Sequence, residues 1–187
     1  MKISSGLIKQ FQNRFFFSTS MFGKKPERIE PKGGQESVWD YPRPPRIEDV
    51  SKHLRVIFNG ETIADTKRAK RVLETSHPPA YYIPLDDVKK EFLVSNPKHT
   101  FCEWKGQASY YDLKVGDKAV SNVAWYYPTP IEAFIPIANH VCFYANKVDE
   151  CYVDDEKVQA QEGDFYGGWI TKDIVGPFKG APGTTGW

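Results

Sequence analysis

The reactive side chains are densest between Arg71 and Tyr82, where Arg71, Glu74, His77, Tyr81 and Tyr82 fall within twelve residues. Pro78 and Pro79 follow the imidazole directly, and their rings fix the local backbone. An imidazole titrates near neutrality, and a neighbouring carboxylate can take or return a proton. Glu74 and His77 are therefore the candidate catalytic acid–base pair. The plainer alternative is that Glu74 pairs with Arg71 or a lysine while His77 caps a turn. A second cluster, Cys102-Glu103-Trp104-Lys105-Gly106, brings a thiol and an ammonium close together. Along a strand Cys102 and Glu103 point to opposite faces, so at most one of them meets the first cluster. Cys102 beside His77 would make a nucleophilic dyad; otherwise an inward strand cysteine is a small core residue. Lys105, just before a glycine, suits an anion held at a turn.

Three tyrosine doublets, Tyr81-Tyr82, Tyr110-Tyr111 and Tyr126-Tyr127, each send one ring to either face of a strand. Trp125 shares a face with Tyr127. The inward rings build a core or line a pocket. The candidate ligand pocket comprises Arg71, Glu74, His77, Tyr81, Tyr82, Cys102, Lys105, Tyr110 and Trp125, because small-molecule pockets combine a few charges with aromatic walls.

Several chemistries lack their pattern. No glycine-rich phosphate loop and no G-x-S-x-G elbow occurs. Asp86-Asp87 and Asp154-Asp155 are adjacent pairs, so a strand does not bring two carboxylates to one face for Mg²⁺. His53, His99 and His140 are isolated. The three cysteines, Cys102, Cys142 and Cys151, form no C-x-x-C pair, so a structural zinc is not expected. Neither metal nor cofactor is implied. A Cys142–Cys151 disulfide is conceivable only if Asn146-Lys147 turns a hairpin that sets the two opposite.

The elements that must position these residues are short. Fourteen prolines and fourteen glycines in 187 residues argue against long helices. A net charge of +1 excludes a strong binder of nucleic acid on charge alone, and no apolar run is long enough for a transmembrane helix. Residues 1–30 are basic, hydroxyl-rich and nearly free of acids, the composition of a transit peptide, which predicts a mitochondrial address; a cytoplasmic protein with a disordered lead is the alternative. Residues 31–50 read as a proline-rich strap anchored by Trp39 and Tyr41. The folded body is expected over 51–187. Leu54–Phe58 and Glu61–Asp65 flank Asn59-Gly60, the strongest hairpin signal in the chain. Arg71–Glu74 reads as a third strand and 76–87 as a loop with one helical turn at Leu85–Val88. Glu91–Val94 and Thr100–Trp104 read as strands around an Asn96-Pro97 turn. Gln107–Leu113 and Ala119–Tyr127 flank Gly116-Asp117, and His140–Ala145 with Cys151–Val153 forms a third hairpin. A Gly-rich tail closes the chain, wrapped on the body by Trp169, Phe178 and Trp187. The whole predicts an all-β, antiparallel barrel or sandwich.

Glu36-Ser37-Val38-Trp39-Asp40-Tyr41-Pro42-Arg43-Pro44-Pro45, Val72 through Tyr82, Trp104-Lys105-Gly106 and Ala124-Trp125-Tyr126-Tyr127-Pro128 resemble the family called domain of unknown function 427, also labelled nucleotidyltransferase family 9. Phe165 through Ile170 and Gly176 through Gly180 resemble a subset of it. The resemblance implies a beta-tent-like pair of antiparallel sheets leaning together, or an incomplete barrel, in a metal-free version. It implies no activity: the Gly-Ser pair and alternating carboxylates typical of nucleotidyltransferases are missing. Three functions follow as expectations. The first is a small module that binds a small molecule or protein partner between its sheets. The second is an enzyme using Glu74 and His77, with Arg71 or Lys105 holding an anionic substrate. The third is an accessory subunit of a mitochondrial assembly, which would make the protein part of an oligomer.

Overall fold

The computed structural model describes residues 26–187. The expected transit segment lies almost wholly outside the described residues. In chain order the strands are β1 (Glu36–Ser37), β2 (Arg46–Val50), β3 (Leu54–Phe58), β4 (Glu61–Thr66), β5 (Ala69–Leu73), β6 (Ala80–Pro84), β7 (Leu93–Cys102), β8 (Gly106–Val115), β9 (Lys118–Tyr126), β10 (His140–Phe143), β11 (Glu150–Val153), β12 (Glu156–Lys157), β13 (Gln159–Ala160), β14 (Trp169–Ile170) and β15 (Ile174–Val175). Seven strands form one sheet in the order β2-β5-β6-β10-β9-β8-β7, and four form a second in the order β12-β11-β3-β4. All pairings within these two sheets are antiparallel, and neither sheet closes on itself. The fold is all-β and open.

Strand alternation decides which side of the large sheet each residue serves. Tyr81, Ile83, Leu113, Val141 and Phe143 meet Leu54, Val56, Phe58 and Ile63 of the four-stranded sheet in the principal core. Neighbouring positions point the other way: Tyr82, Tyr110, Trp125, Tyr127, Cys142 and Tyr144 form a second apolar cluster with Phe134 and Ile137. All three tyrosine doublets are split in this manner. Tyr111 packs toward the principal core, and its ring stacks on that of Tyr126 with centroids 4.5 Å apart. The large sheet is thus apolar on both faces, and its outer face requires a cover.

The Asn59-Gly60 hairpin forms with positive φ at both residues, 50° and 77°, the backbone that a two-residue turn demands. Other expectations change. Ala80–Pro84, expected within a loop, is a central strand; its prolines sit at or before its ends, where no interior ladder bond is lost. Residues 93–102 are one strand, not two. The Asn96-Pro97 step is a bulge, where the Asn96 side chain accepts from the Lys98 amide at 2.8 Å. Proline is tolerated there because β7 is the sheet edge. The third hairpin does not form. Residues 145–147 make a 3₁₀ turn that sends β11 to the other sheet, opposite β3, while Cys142 pairs with Trp125. Cys142 and Cys151 are therefore free thiols in different sheets.

Both ends of the described chain fasten to the body. Arg46–Val50, expected as part of the strap, is the edge strand beside β5. The strap proper buries Val38 and Tyr41 against Leu73 and Ile174. The Trp39 indole donates to the Pro177 carbonyl at 2.9 Å, and β1 pairs with β15. Trp169 is fully buried and donates its indole N–H to the Phe143 carbonyl at 2.9 Å.

Candidate functional site

A cavity of about 510 Å³ opens on the outer face of the seven-stranded sheet. It does not lie between the two sheets, where it was expected, because that space is filled by the principal core. Val72, Ala80, Tyr82, Ala108, Tyr110, Trp125 and Tyr127 make its floor, and the turn at 102–105 makes one wall. Phe165, Tyr166, Lys179 and Trp187 of the tail form the opposite rim.

Seven of the nine candidate residues line this cavity: Glu74, His77, Tyr82, Cys102, Lys105, Tyr110 and Trp125. Arg71 and Tyr81 do not. They are direct cross-strand partners on the other face of the sheet, while their neighbours Val72 and Tyr82 take the cavity side. Arg71 instead clamps the strap to the sheet, donating to Glu36 at 3.0 and 3.1 Å and to Glu48 at 2.7 and 3.0 Å. Tyr81 packs on Trp169, and burial pushes its hydroxyl up to about 12. Cys102 and Glu103 both reach the cavity, contrary to the alternation argument. Strand β7 ends at Cys102, and Glu103 already belongs to the turn.

His77 sits where β5 leaves the sheet. Its amide donates to the Glu74 carbonyl at 3.0 Å, and Ser76 takes a positive φ of 71° to close that turn. Ser76 is bonded on both sides, its N–H to the Val38 carbonyl and its carbonyl to the Lys179 N–H, so strap, turn and tail lock together. The His77 Nδ1 lies 3.0 Å from the Thr75 carbonyl oxygen and donates to it. This leaves Nε2 as the acceptor nitrogen, and it is buried with no hydrogen-bond partner. Burial holds the imidazole pKa below 6.5, so the ring is neutral at pH 7. The Tyr166 ring covers it edge-on.

Glu74 does not orient that imidazole. Its carboxylate faces the Arg43 guanidinium at 3.5 Å, an arginine of the strap and not Arg71. Nor does Cys102 form a dyad with His77: Nδ1 bonds the Thr75 backbone and Nε2 has no hydrogen-bond partner. Lys105 is buried at 8 % exposure, and its ammonium stands 5.6 Å from the Phe134 ring centroid. The Gly106 backbone after it has a φ of 96°, which only glycine adopts without strain. The Lys105 carbonyl accepts from the Ile131 amide at 3.1 Å, which fixes the turn. Burial raises the Tyr82, Tyr127 and Tyr144 hydroxyls well above their ordinary range, so these three phenols are neutral.

Sequence reasoning missed the rim. Gln161 holds the tail down, donating to the Lys179 carbonyl at 2.7 Å and accepting from the Gly168 amide at 3.0 Å. A Cβ on Gly167 would lie 2.3 Å from the Trp125 ring, and one on Gly168 would lie 2.5 Å from the Pro78 carbonyl oxygen. The Gly-Gly pair beside two aromatics was the available signal: it allows the chain to pass directly over Trp125.

Among the described residues no group of three or more His, Cys, Asp or Glu side chains could hold a metal, and no helix is long and apolar enough to cross a membrane. Residues 46–154, from β2 through β11, match the family described as Domain of unknown function (DUF427). The chain belongs to that family. The matched span contributes the cavity floor and the 102–105 wall, while Arg43 and the tail rim lie outside it. No curated protein matches the chain.

Proposed function

We propose that this member of the family binds a small, largely aromatic molecule in the cavity on the outer face of its large sheet. The observation that carries this reading is an uncommitted buried acceptor, His77 Nε2, beside an aromatic-walled space of about 510 Å³. Buried polar atoms are nearly always satisfied, and an exception needs a reason. A ligand N–H or O–H reaching Nε2 when Tyr166 moves aside supplies one. Trp104, Trp125 and Trp187 offer faces on which a planar body stacks. Acid–base catalysis by Glu74 and His77 is the weaker reading, because Arg43 engages the carboxylate.

The test follows the five indole N–H resonances of the full chain during titration with planar aromatic fragments. Trp104, Trp125 and Trp187 should shift, and Trp39 is free to follow because its ring packs edge-on against Trp187 at 5.7 Å, while Trp169, outside the cavity, stays still. Movement of Trp39 or Trp169 alone, or of none, rejects the site. A mitochondrial address is proposed from the composition of residues 1–30 alone. Mass spectrometry of the mature N-terminus checks it, and an intact Met1 in organelles counts against cleavage.

A further inference from the structure

Resting on that reading, we infer that the cavity selects a small organic monoanion, such as an aromatic carboxylate, and that Lys105 is the counter-charge. Five charged side chains line the cavity: Arg43, Lys105 and Lys179 are cationic, and Glu74 and Glu103 are anionic. Arg43 and Glu74 face each other at 3.5 Å and cancel. Glu103 lines the cavity as an exposed residue, where solvent screens its charge. Lys179 is half-buried, donates to the Trp187 carbonyl at 3.0 Å and stands over the Tyr166 ring, so it belongs to the tail rim. Lys105 remains. The residue is more than nine-tenths buried, it joins no ion pair among the described residues, and its ammonium stands 5.6 Å from the Phe134 ring centroid.

The Lys105 ammonium is not one of the fully enclosed, unpartnered atoms among the described residues, so a ligand anion can reach it where it lines the cavity. The turn carrying Lys105 is held by the Gly106 conformation and the Ile131 amide, so the backbone that presents the ammonium is fixed. Aromatic walls keep water away and strengthen a charge pair formed there. One unmatched cation suits one negative charge. The surrounding rings then stack on the ligand body, and His77 Nε2 takes a donor on its edge. A phosphate monoester dianion would bring one charge too many.

The experiment compares 2-naphthoate with its neutral isostere 2-naphthamide, by calorimetry on the full chain and on Lys105→Met. The wild type should bind the carboxylate about tenfold more tightly than the amide. Lys105→Met should reduce that ratio to near one. Raising the ionic strength should weaken the carboxylate alone, a readout on the wild type that stands if the variant fails to fold. Equal affinity for the two probes, with the cavity indoles shifting, rejects the anion inference and leaves the ligand-binding reading intact. A preference that survives Lys105→Met, or naphthyl phosphate binding more tightly than naphthoate, also overturns the inference. Binding of neither probe removes both.

Discussion

The imidazole of His77 and the phenol ring of Tyr166 meet edge to face, with ring centroids 4.6 Å apart. The two residues lie at opposite ends of the fold's construction, one on the turn after β5 and the other in the tail beyond the last strand of the family match. Tyr166 thus packs against an imidazole whose Nε2 is buried and unpartnered. Removing it in Tyr166→Ala should raise the His77 titration midpoint toward 6.5, since burial is the chief cause of its depression. A pH titration of the histidine ring resonances measures this. An unchanged midpoint would mean that other neighbours bury the ring.

The same imidazole makes stability depend on pH. Its folded pKa is depressed, so the unfolded chain takes up the proton first as pH falls below 6.5. Stability is full above that value and declines below it until the folded ring itself titrates. His140 is depressed by burial too and acts in the same direction. Denaturant melts of His77→Asn across this window should show a shallower loss than the wild type. A slope identical to wild type would assign the whole effect to His140 and the carboxylates.

Arg71 holds two carboxylates from different elements and contacts no part of the cavity. Its side chain is 18 % exposed and those of Glu36 and Glu48 are 41 % and 30 % exposed, so solvent screens the cluster in part. Arg71→Met should cost on the order of 1–2 kcal/mol in chemical denaturation. Ligand affinity should be unaffected. A drop in affinity at unchanged stability would place Arg71 in the binding function after all.

Trp169 ties the tail into the principal core, with no exposed surface and one hydrogen bond to β10. Trp169→Ala should destabilise the protein by about 3–5 kcal/mol, the usual range for emptying a large aromatic site. Gly168→Ala should act more locally. The added methyl meets the Pro78 carbonyl, which is backbone and yields little, so the rim lifts. Limited proteolysis should then cut between 162 and 168, where the wild type resists.

The three thiols should react in two classes. Cys142 and Cys151 are buried, with burial raising both pKa values, and should alkylate only on unfolding. Cys102 is half-buried on the cavity wall and should label in the native protein. Prior occupancy of the cavity should slow that labelling. Mass spectrometry of labelled peptides distinguishes the classes, and reductant should leave the melting temperature unchanged.

Much of this protein is local and was legible from residue order. The Asn59-Gly60 hairpin, the Gly116-Asp117 hairpin and the splitting of each tyrosine doublet follow from turn chemistry and from the two-residue period of a strand. The gathering of Glu74, His77, Cys102 and Lys105 near one another was expected from their residue types, and the cavity does contain them. Which face of the sheet each residue meets depends on register, and register is set by partners far along the chain. A one-residue offset exchanges Arg71 and Tyr81 for Val72 and Tyr82 at the cavity wall, and nothing within those twelve residues selects between the two. Likewise, only long-range pairing sends β11 across to β3 instead of back along β10, which separates Cys142 from Cys151. The rim shows the same limit: Tyr166 reaches His77 because Trp169 and the Gly-Gly pair pass the tail over Trp125, a contact that exists only once both faces of the large sheet are covered.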